Sequence, residues 1–535
     1  MSQDPMDRNE QNSGAAEALE TVALIALLLL ALTLTFVSLF STGNIDPEAY
    51  ESGKLVFTKD FFWYNGAVLV FLAAASRLLR VARVSDRAIR RLTGWLLVLT
   101  AVAGLFWILL AKAQPAGEQG YLFDAAKAII QGKTKDLTSE QGSLYFYFAT
   151  SPTQFGNLAF VELLTRAFGQ KGILIAAPAL NVLLLVFSYA SLLKTTGRLF
   201  RDNRVTLLTL LLLCVCPQPL LKCTVIDAGV LAASLTIWSA GRIVLYLQYG
   251  KKANMVWGTV FGVLGAVFSP VSRAAVIAFA LVLALQVIKQ KKWFPAVTAL
   301  VLLAFALPAP AAARIVYEAR LDTTYGAGLP AVVWKAAESE SGASVSREGA
   351  RAYLDALREE YDLDFTAYVE QAKEELAVSA EQELTPAARF LSRLSTVWNE
   401  PTFASIWSSG AFEPFGERSV YAESIYDASR EGKGLNGFAA QTLQLVFAGT
   451  LLAAAVLCKK RSTEQMILPL IVLFSALGLT GYGAEAPQAI RILPLLCPLA
   501  AYGLLSFGLD LSAHLTRPET SWEEAKSGRR RRNVK

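Results

Sequence analysis

Apolar runs long enough to cross a lipid bilayer recur along this chain, separated by short basic loops and interrupted by two long polar segments. A spanning helix needs about 20 mostly apolar residues. On that criterion spans are expected near 20–41, 61–79, 92–112, 172–193, 204–224, 227–247, 254–269, 273–288, 294–312, 437–457, 465–482 and 490–511. The pattern predicts an all-α polytopic membrane protein of about twelve transmembrane helices. Lys and Arg cluster after every second run, at 77–91, 194–204, 251–252, 289–292 and 459–461, and again in the tail at 529–532. Basic loops mark the cytoplasmic side, so both termini are expected there.

Two places leave the span pattern open. The short runs 254–269 and 273–288, separated by Ser269-Pro270, read either as two crossings or as a hairpin that does not fully cross. Pro217 and Pro219 interrupt the fifth run. Proline inside a membrane helix needs neighbours or water to satisfy the freed backbone, so this end either faces a polar cavity or simply terminates at the interface.

This topology assigns a cytoplasmic tail (1–19), a transmembrane core (20–312) holding an external loop at 114–170, and an extracytoplasmic segment (313–436). C-terminal membrane helices (437–511) and a basic cytoplasmic tail (512–535) follow. The loop is too long for a turn and carries aromatics and helical periodicity, which predicts order. The segment 313–436 reads as a small helical domain. Ser346 can cap a helix with apolar positions Ala350, Tyr353, Leu354, Leu357 and Tyr361, 365–376 is helix-like, and Thr385-Pro386 starts another helix leading to Trp398. By composition the first fifteen or so residues and the tail after Pro518 read as disordered.

Composition supports the membrane reading, with 54% hydrophobic residues and a mean hydropathy of +0.41. The net charge of +6 lies largely in the short basic loops, so it is a topology signal and does not point to nucleic acid. Cys214, Cys216, Cys223, Cys458 and Cys497 form no C-x-x-C pair, which argues against a disulfide framework or a thiolate zinc site. The single histidine, His514, lies beyond the last apolar run, which excludes a histidine-based external site. The N-terminus has no cleavable-signal pattern.

The centres of the spans carry almost no ionisable residues, which weighs against a proton- or sodium-coupled transporter. Charge gathers instead where the topology places outer helix ends: Glu118, Asp124, Lys222, Asp227, Arg273, Arg314, Glu485 and Arg491. For any one of them, interface solvation of a long side chain is the plainer explanation. As a group they suit a substrate that is part lipid and part polar head group.

The stretches QPAGEQGYLFDAAKAIIQG and SLYFYFATSPTQFGNLAFVELLTRAFG resemble the first large external loop of bacterial polytopic glycosyltransferases of the C-type superfamily, related to the protein mannosyltransferases and the aminoarabinose lipid A transferases. KCTVIDAG, TVWNEPTF and AEAPQAIRILPLLCPLAAYG are similar to further elements of that group in the same order. The resemblance implies a membrane enzyme moving a sugar from a polyprenyl-phosphate donor to an extracytoplasmic acceptor, with inversion at the anomeric carbon. A cell-wall polymer, a glycolipid or a protein would serve as acceptor. Glu118 stands at the family's acidic position and is the implied base. Gln119, Asp124, Gln154, Lys222, Asp227, Arg273, Arg314, Glu485 and Arg491 are the implied substrate contacts. A divalent metal beside Glu118 stays open, with no ligand spacing that calls for one.

The chain departs from the family pattern in three places. Glu118 replaces the usual Asp, Ser151 and Thr153 stand where Tyr and His are expected although Pro152, Gln154 and Gly156 remain, and Arg491 stands near a usual aromatic. Helix capping explains Asp227 as well as substrate contact does, and WNEPTF reads as a packing anchor around Trp398. Two other readings stay open: a lipid or polysaccharide translocase, and a catalytically silent membrane scaffold.

Overall fold

The computed structural model describes residues 5–45, 55–81, 84–115, 117–291, 293–325, 386–410, 414–426, 430–482 and 486–507. In chain order the elements are α1 (Pro5–Phe40), β1 (Ser41–Ile45), β2 (Leu55–Lys59), α2 (Phe62–Leu78), α3 (Asp86–Ala111), α4 (Glu118–Gln131), α5 (Lys135–Thr138), α6 (Ser143–Thr150) and α7 (Phe155–Phe200). Then come α8 (Asn203–Val215), α9 (Gln218–Leu221), α10 (Gly229–Tyr249), α11 (Lys252–Phe268), α12 (Pro270–Gln290), α13 (Trp293–Ala306) and α14 (Ala309–Leu321). The last are α15 (Pro386–Trp398), α16 (Ser405–Gly410), α17 (Val420–Tyr426), α18 (Arg430–Lys459), α19 (Ile467–Tyr482), α20 (Ala486–Ala489) and α21 (Leu493–Ser506).

Among the described residues, 8 helices are long and apolar enough to cross a membrane, and Asn203–Val215 with Gln218–Thr224 adds a span broken by a bend of 48°. Three shorter apolar helices, Phe62–Leu78, Lys252–Phe268 and Leu493–Ser506, fall at the remaining expected positions. The chain is therefore an all-α multi-pass membrane protein. One candidate span covers 49 residues, Pro152–Phe200, far beyond the roughly 20 needed for a crossing. Gly169, at φ 72° and ψ 170°, breaks it. That conformation suits glycine, which lacks the Cβ that would clash. The helix up to Gly169 is thus distinct from the apolar one that follows it.

Burial in α1 shows how the lipid-facing side is chosen. Leu24, Leu27, Ala31 and Leu34 are buried, whereas Val22, Ile25, Leu29, Leu32 and Phe36 are exposed. Both sets follow helical spacing, so one stripe packs on protein and the other is left for acyl chains. Helix α1 begins at Pro5, earlier than the disordered first fifteen residues expected from composition.

The tightest crossing joins α18 and α21. A Cβ on Gly503 would lie 2.0 Å from the Gly449 carbonyl oxygen, and one on Gly449 would lie 2.8 Å from the Ala500 side chain. Small residues let the backbones touch, the usual source of helix association in lipid. Gly503→Ala is therefore expected to destabilise the bundle by about 1–3 kcal/mol, the typical cost of overpacking. A detergent-solubilised variant with an unshifted thermal midpoint would contradict this crossing.

Residues 41–45 and 55–59 pair as antiparallel strands, with Ser41 opposite Lys59 and Ile45 opposite Leu55, which the helical pattern did not suggest. Their anchor is the WNEPTF element. Asn399 donates from Nδ2 to the Ser41 carbonyl at 2.8 Å and accepts from the Gly43 amide at 3.0 Å. Trp398 is buried against Phe403 and Phe447. Helix α15 starts at Pro386 as expected, whereas the helices expected at 346–361 and 365–376 lie outside the described residues.

Within this element Glu400 is buried and accepts from the Thr402 hydroxyl at 2.7 Å, from the Thr402 amide at 3.2 Å and from the Ala404 amide. Phe403 and Ala404 take φ values of 50° and 53° to bring that amide round. Burial raises the Glu400 carboxyl above its ordinary value, against the lowering effect of those donors. An acid whose folded pKa is raised binds its proton more readily when folded. Stability should therefore rise as pH falls from the raised value toward the unfolded pKa of about 4.3. Glu400→Gln should flatten this slope in thermal melts; parallel slopes in the two proteins would refute it.

Candidate functional site

The polar segment after α3 turns sharply at Gly117, with φ 56° and ψ −130°, into α4. Glu118 is the first residue of that helix and is half-buried. A carboxylate in a first helical turn is favoured by the unpaired amides and the helix dipole. Its neighbour Gln119 accepts through Oε1 from the Ile226 amide at 3.0 Å. This bond ties the start of α4 to the turn that precedes α10.

That turn carries Lys222 and Asp227. The expected break in the fifth span is present as a bend of 48°, and side chains tie the residues after it to the rest of the bundle. Asn181, fully buried on α7, donates from Nδ2 to the carbonyls of Cys223 at 3.2 Å and Val225 at 2.8 Å. Gln218 donates to the Pro401 carbonyl at 2.9 Å. Lys222 is buried within a short 3-10 turn there.

Of the two roles weighed for Asp227, helix capping is observed, together with an ion pair. Oδ1 accepts from the Gly229 amide at 2.7 Å, capping the start of α10, and Oδ2 lies 3.5 Å from Arg491 Nη2. Arg491 also donates from Nη1 to Ser269 Oγ at 2.7 Å. Ser269 in turn accepts from the Val271 amide at 3.2 Å as N-cap of α12. Gly229 is needed for this approach, since a Cβ there would lie 2.7 Å from Arg491 Nη2 and 2.8 Å from Asp227 Oδ1. Arg273, half-buried, follows Ser269 by one turn, its amide donating to the Ser269 carbonyl at 3.3 Å.

Gln154 lies in the turn just before α7. It accepts from Asn157 Nδ2, and Gly156 lies so close to α11 that a Cβ would be 2.2 Å from the Val267 carbonyl oxygen. This places the 154–157 turn against the residues leading into Ser269. Asn157 Oδ1 is buried without a hydrogen-bond partner among the described residues. Of the two departures beside this turn, Ser151 is buried and Thr153 is exposed.

Asp124 is exposed on α4, on the side away from buried Leu122, Ala125, Ala126 and Ile129. Arg314 lies on α14, 3.5 Å from Glu318 one turn on. Glu485 lies outside the described residues, as does His514. The aromatics of the loop form its core: Tyr121 stacks on Tyr147 at 4.8 Å, Phe148 on Phe155 at 4.6 Å and Phe155 on Tyr317 at 5.4 Å.

A second polar group braces the same region. Buried Glu162 accepts from Tyr317 at 2.6 Å, Arg320 at 2.9 Å and Arg166 at 2.8 Å, joining α7 to α14. Sequence reading missed Ser269, Asn157, Asn181 and Glu162. Each is a polar residue inside or bordering an apolar run, and that was the available signal.

Among the described residues no three His, Cys, Asp or Glu side chains converge as a metal site would require. The group instead pairs an acid at one helix start with a guanidinium bonded to another helix's N-cap. The first can take a proton and the second can meet an anion.

No family model and no curated protein sequence matches this chain. Among solved structures, the crystal structure of ArnT from Cupriavidus metallidurans bound to undecaprenyl phosphate is similar at 14% identity, covering 77% of this chain and 78% of that one, with a TM-score of 0.32.

Proposed function

We propose that this chain is a membrane glycosyltransferase of the C-type, transferring a sugar from a polyprenyl-phosphate donor to an acceptor on the extracytoplasmic side. The observation that carries the reading is the bond from the Ile226 amide, on the turn whose Asp227 pairs with Arg491, to Gln119, the neighbour of Glu118. We take the residues that the resemblance implies at 118–119, 227 and 491 to act together, although they are far apart in the chain.

In this reading the acceptor hydroxyl oxygen forms a bond to the anomeric carbon as the bond from that carbon to the phosphate oxygen breaks. The hydroxyl proton passes to the Glu118 carboxylate, and the bonding electron pair leaves with the phosphate. Arg491, with Arg273 and Lys222 on the adjoining turns, offsets the charge of the departing phosphate. Asp227 keeps the Arg491 guanidinium oriented.

The test is incubation of the purified protein with a panel of polyprenyl-linked sugars and candidate acceptors, reading release of the lipid phosphate. Release that depends on acceptor supports the reading. A protein that binds or flips these lipids across vesicles without cleaving any of them would be a translocase instead.

A further inference from the structure

At the end of the bundle opposite Glu118, three arginines converge. Arg77 lies in the last turn of α2, Arg80 in the turn that follows, and Arg204 in the first turn of α8. Arg204 donates from Nη1 to the Arg80 carbonyl at 2.7 Å. Arg80 donates from Nη2 to the Phe507 carbonyl at 2.5 Å, and Arg77 reaches the same oxygen at 3.5 Å.

Little negative charge answers them. Asp202 is engaged with Arg204 through both carboxylate oxygens, at 3.1 Å, 3.2 Å and 2.9 Å. Among the described residues, no ion pair involves Arg77 or Arg80. Arg80 Nε is buried without a hydrogen-bond partner among the described residues. Burial, and then the Arg77 and Arg204 charges, hold the Arg80 guanidinium below its ordinary pKa.

The rim is apolar and open. Leu78 is 73% exposed, Val81 84% and Phe507 43%, and the Arg77 guanidinium lies over the Phe507 ring at 5.9 Å. Basic side chains often cap the last carbonyls of a helix, which accounts for the bonds to Phe507. Capping does not account for three mutually repelling guanidiniums, a buried unpartnered Nε and an apolar rim in one place.

We propose that Arg77, Arg80 and Arg204 bind the phosphate of an anionic two-chain phospholipid in this leaflet, its acyl chains lying along Leu78, Val81 and Phe507. Guanidinium matches phosphate oxygens in geometry and charge. The lipid supplies the missing anion, and its chains cover the exposed rim.

Native mass spectrometry of the full-length protein, released from detergent with phosphatidylglycerol, phosphatidylcholine or inorganic phosphate, tests this. Phosphatidylglycerol is expected to be retained in preference to phosphatidylcholine, and Arg77→Gln to weaken retention about fivefold. Arg77 is exposed and makes one long bond, so this variant should fold; Arg77→Gln with Arg80→Gln should abolish the preference. Equal retention of the two lipids, or unchanged retention in the folded Arg77→Gln protein, would overturn the site. Full displacement of phosphatidylglycerol by millimolar inorganic phosphate would also overturn it, since that describes a free-anion site.

Discussion

Glu118→Gln is expected to slow sugar transfer by about 10²–10⁴-fold, the range for loss of a positioned general base, with donor binding little changed. Gln keeps the size and part of the polarity of the side chain but cannot take a proton from the acceptor hydroxyl. The local fold should tolerate it, because the turn into α4 is made by Gly117 and held by Gln119. Glu118→Asp separates two explanations. The shorter acid is the residue usual at this position in the resembling family, so it should retain much of the rate if the carboxylate is the base. Transfer at the normal rate in Glu118→Gln membranes would remove the base assignment while leaving the membrane fold untouched.

Arg491→Gln should reduce transfer by about 10²–10³-fold, comparable to removing a donor aimed at a developing anion. The guanidinium sits against Asp227 and Ser269 with its side chain only 10% exposed, so its loss also strands the Asp227 carboxylate. That structural cost is separable. The Asp227→Asn, Arg491→Gln pair leaves no unpaired charge, so recovery of thermal stability without recovery of transfer would mark Arg491 as a group that meets substrate. Recovery of both would make it a positioning residue. Full activity in the single Arg491→Gln variant would mean that the leaving phosphate is met elsewhere.

The helical period and the length of the apolar runs foretold nearly every crossing, because bilayer thickness imposes a minimum run length that can be counted. The break at Pro217 and Pro219 was visible for the same kind of reason, since proline cannot continue the hydrogen-bond ladder. How the residues at that break are held was not visible: Gln218, between the two prolines, donates to Pro401, and Asn181 on α7 holds the carbonyls of Cys223 and Val225, partners distant in sequence. The pairing of strands 41–45 and 55–59 escaped because pairing between such short strands is decided by its anchor, here Asn399.

The candidate site divides along the same line. Residue type and motif order pointed to Glu118, Asp227 and Arg491 only as members of a longer set of candidates, whereas Ser269 and Asn157 gave no more signal than a polar letter in an apolar run. Asp124 and Arg314 carried the same charges as their neighbours, yet helix phase turned one outward and an acid one turn away engaged the other.

The amino-acid order alone determined that the chain crosses a membrane many times, where its polar segments lie and which acids and bases border the lipid, since these follow from transfer energies summed along a single strand of sequence. Which stripe of α1 faces lipid, which glycines let α18 touch α21 and which charges meet at Asp227 were decided only in the folded bundle. Those choices depend on the relative rotation and depth of helices, and apolar residues on every face of a membrane helix leave that rotation unspecified until the helices pack.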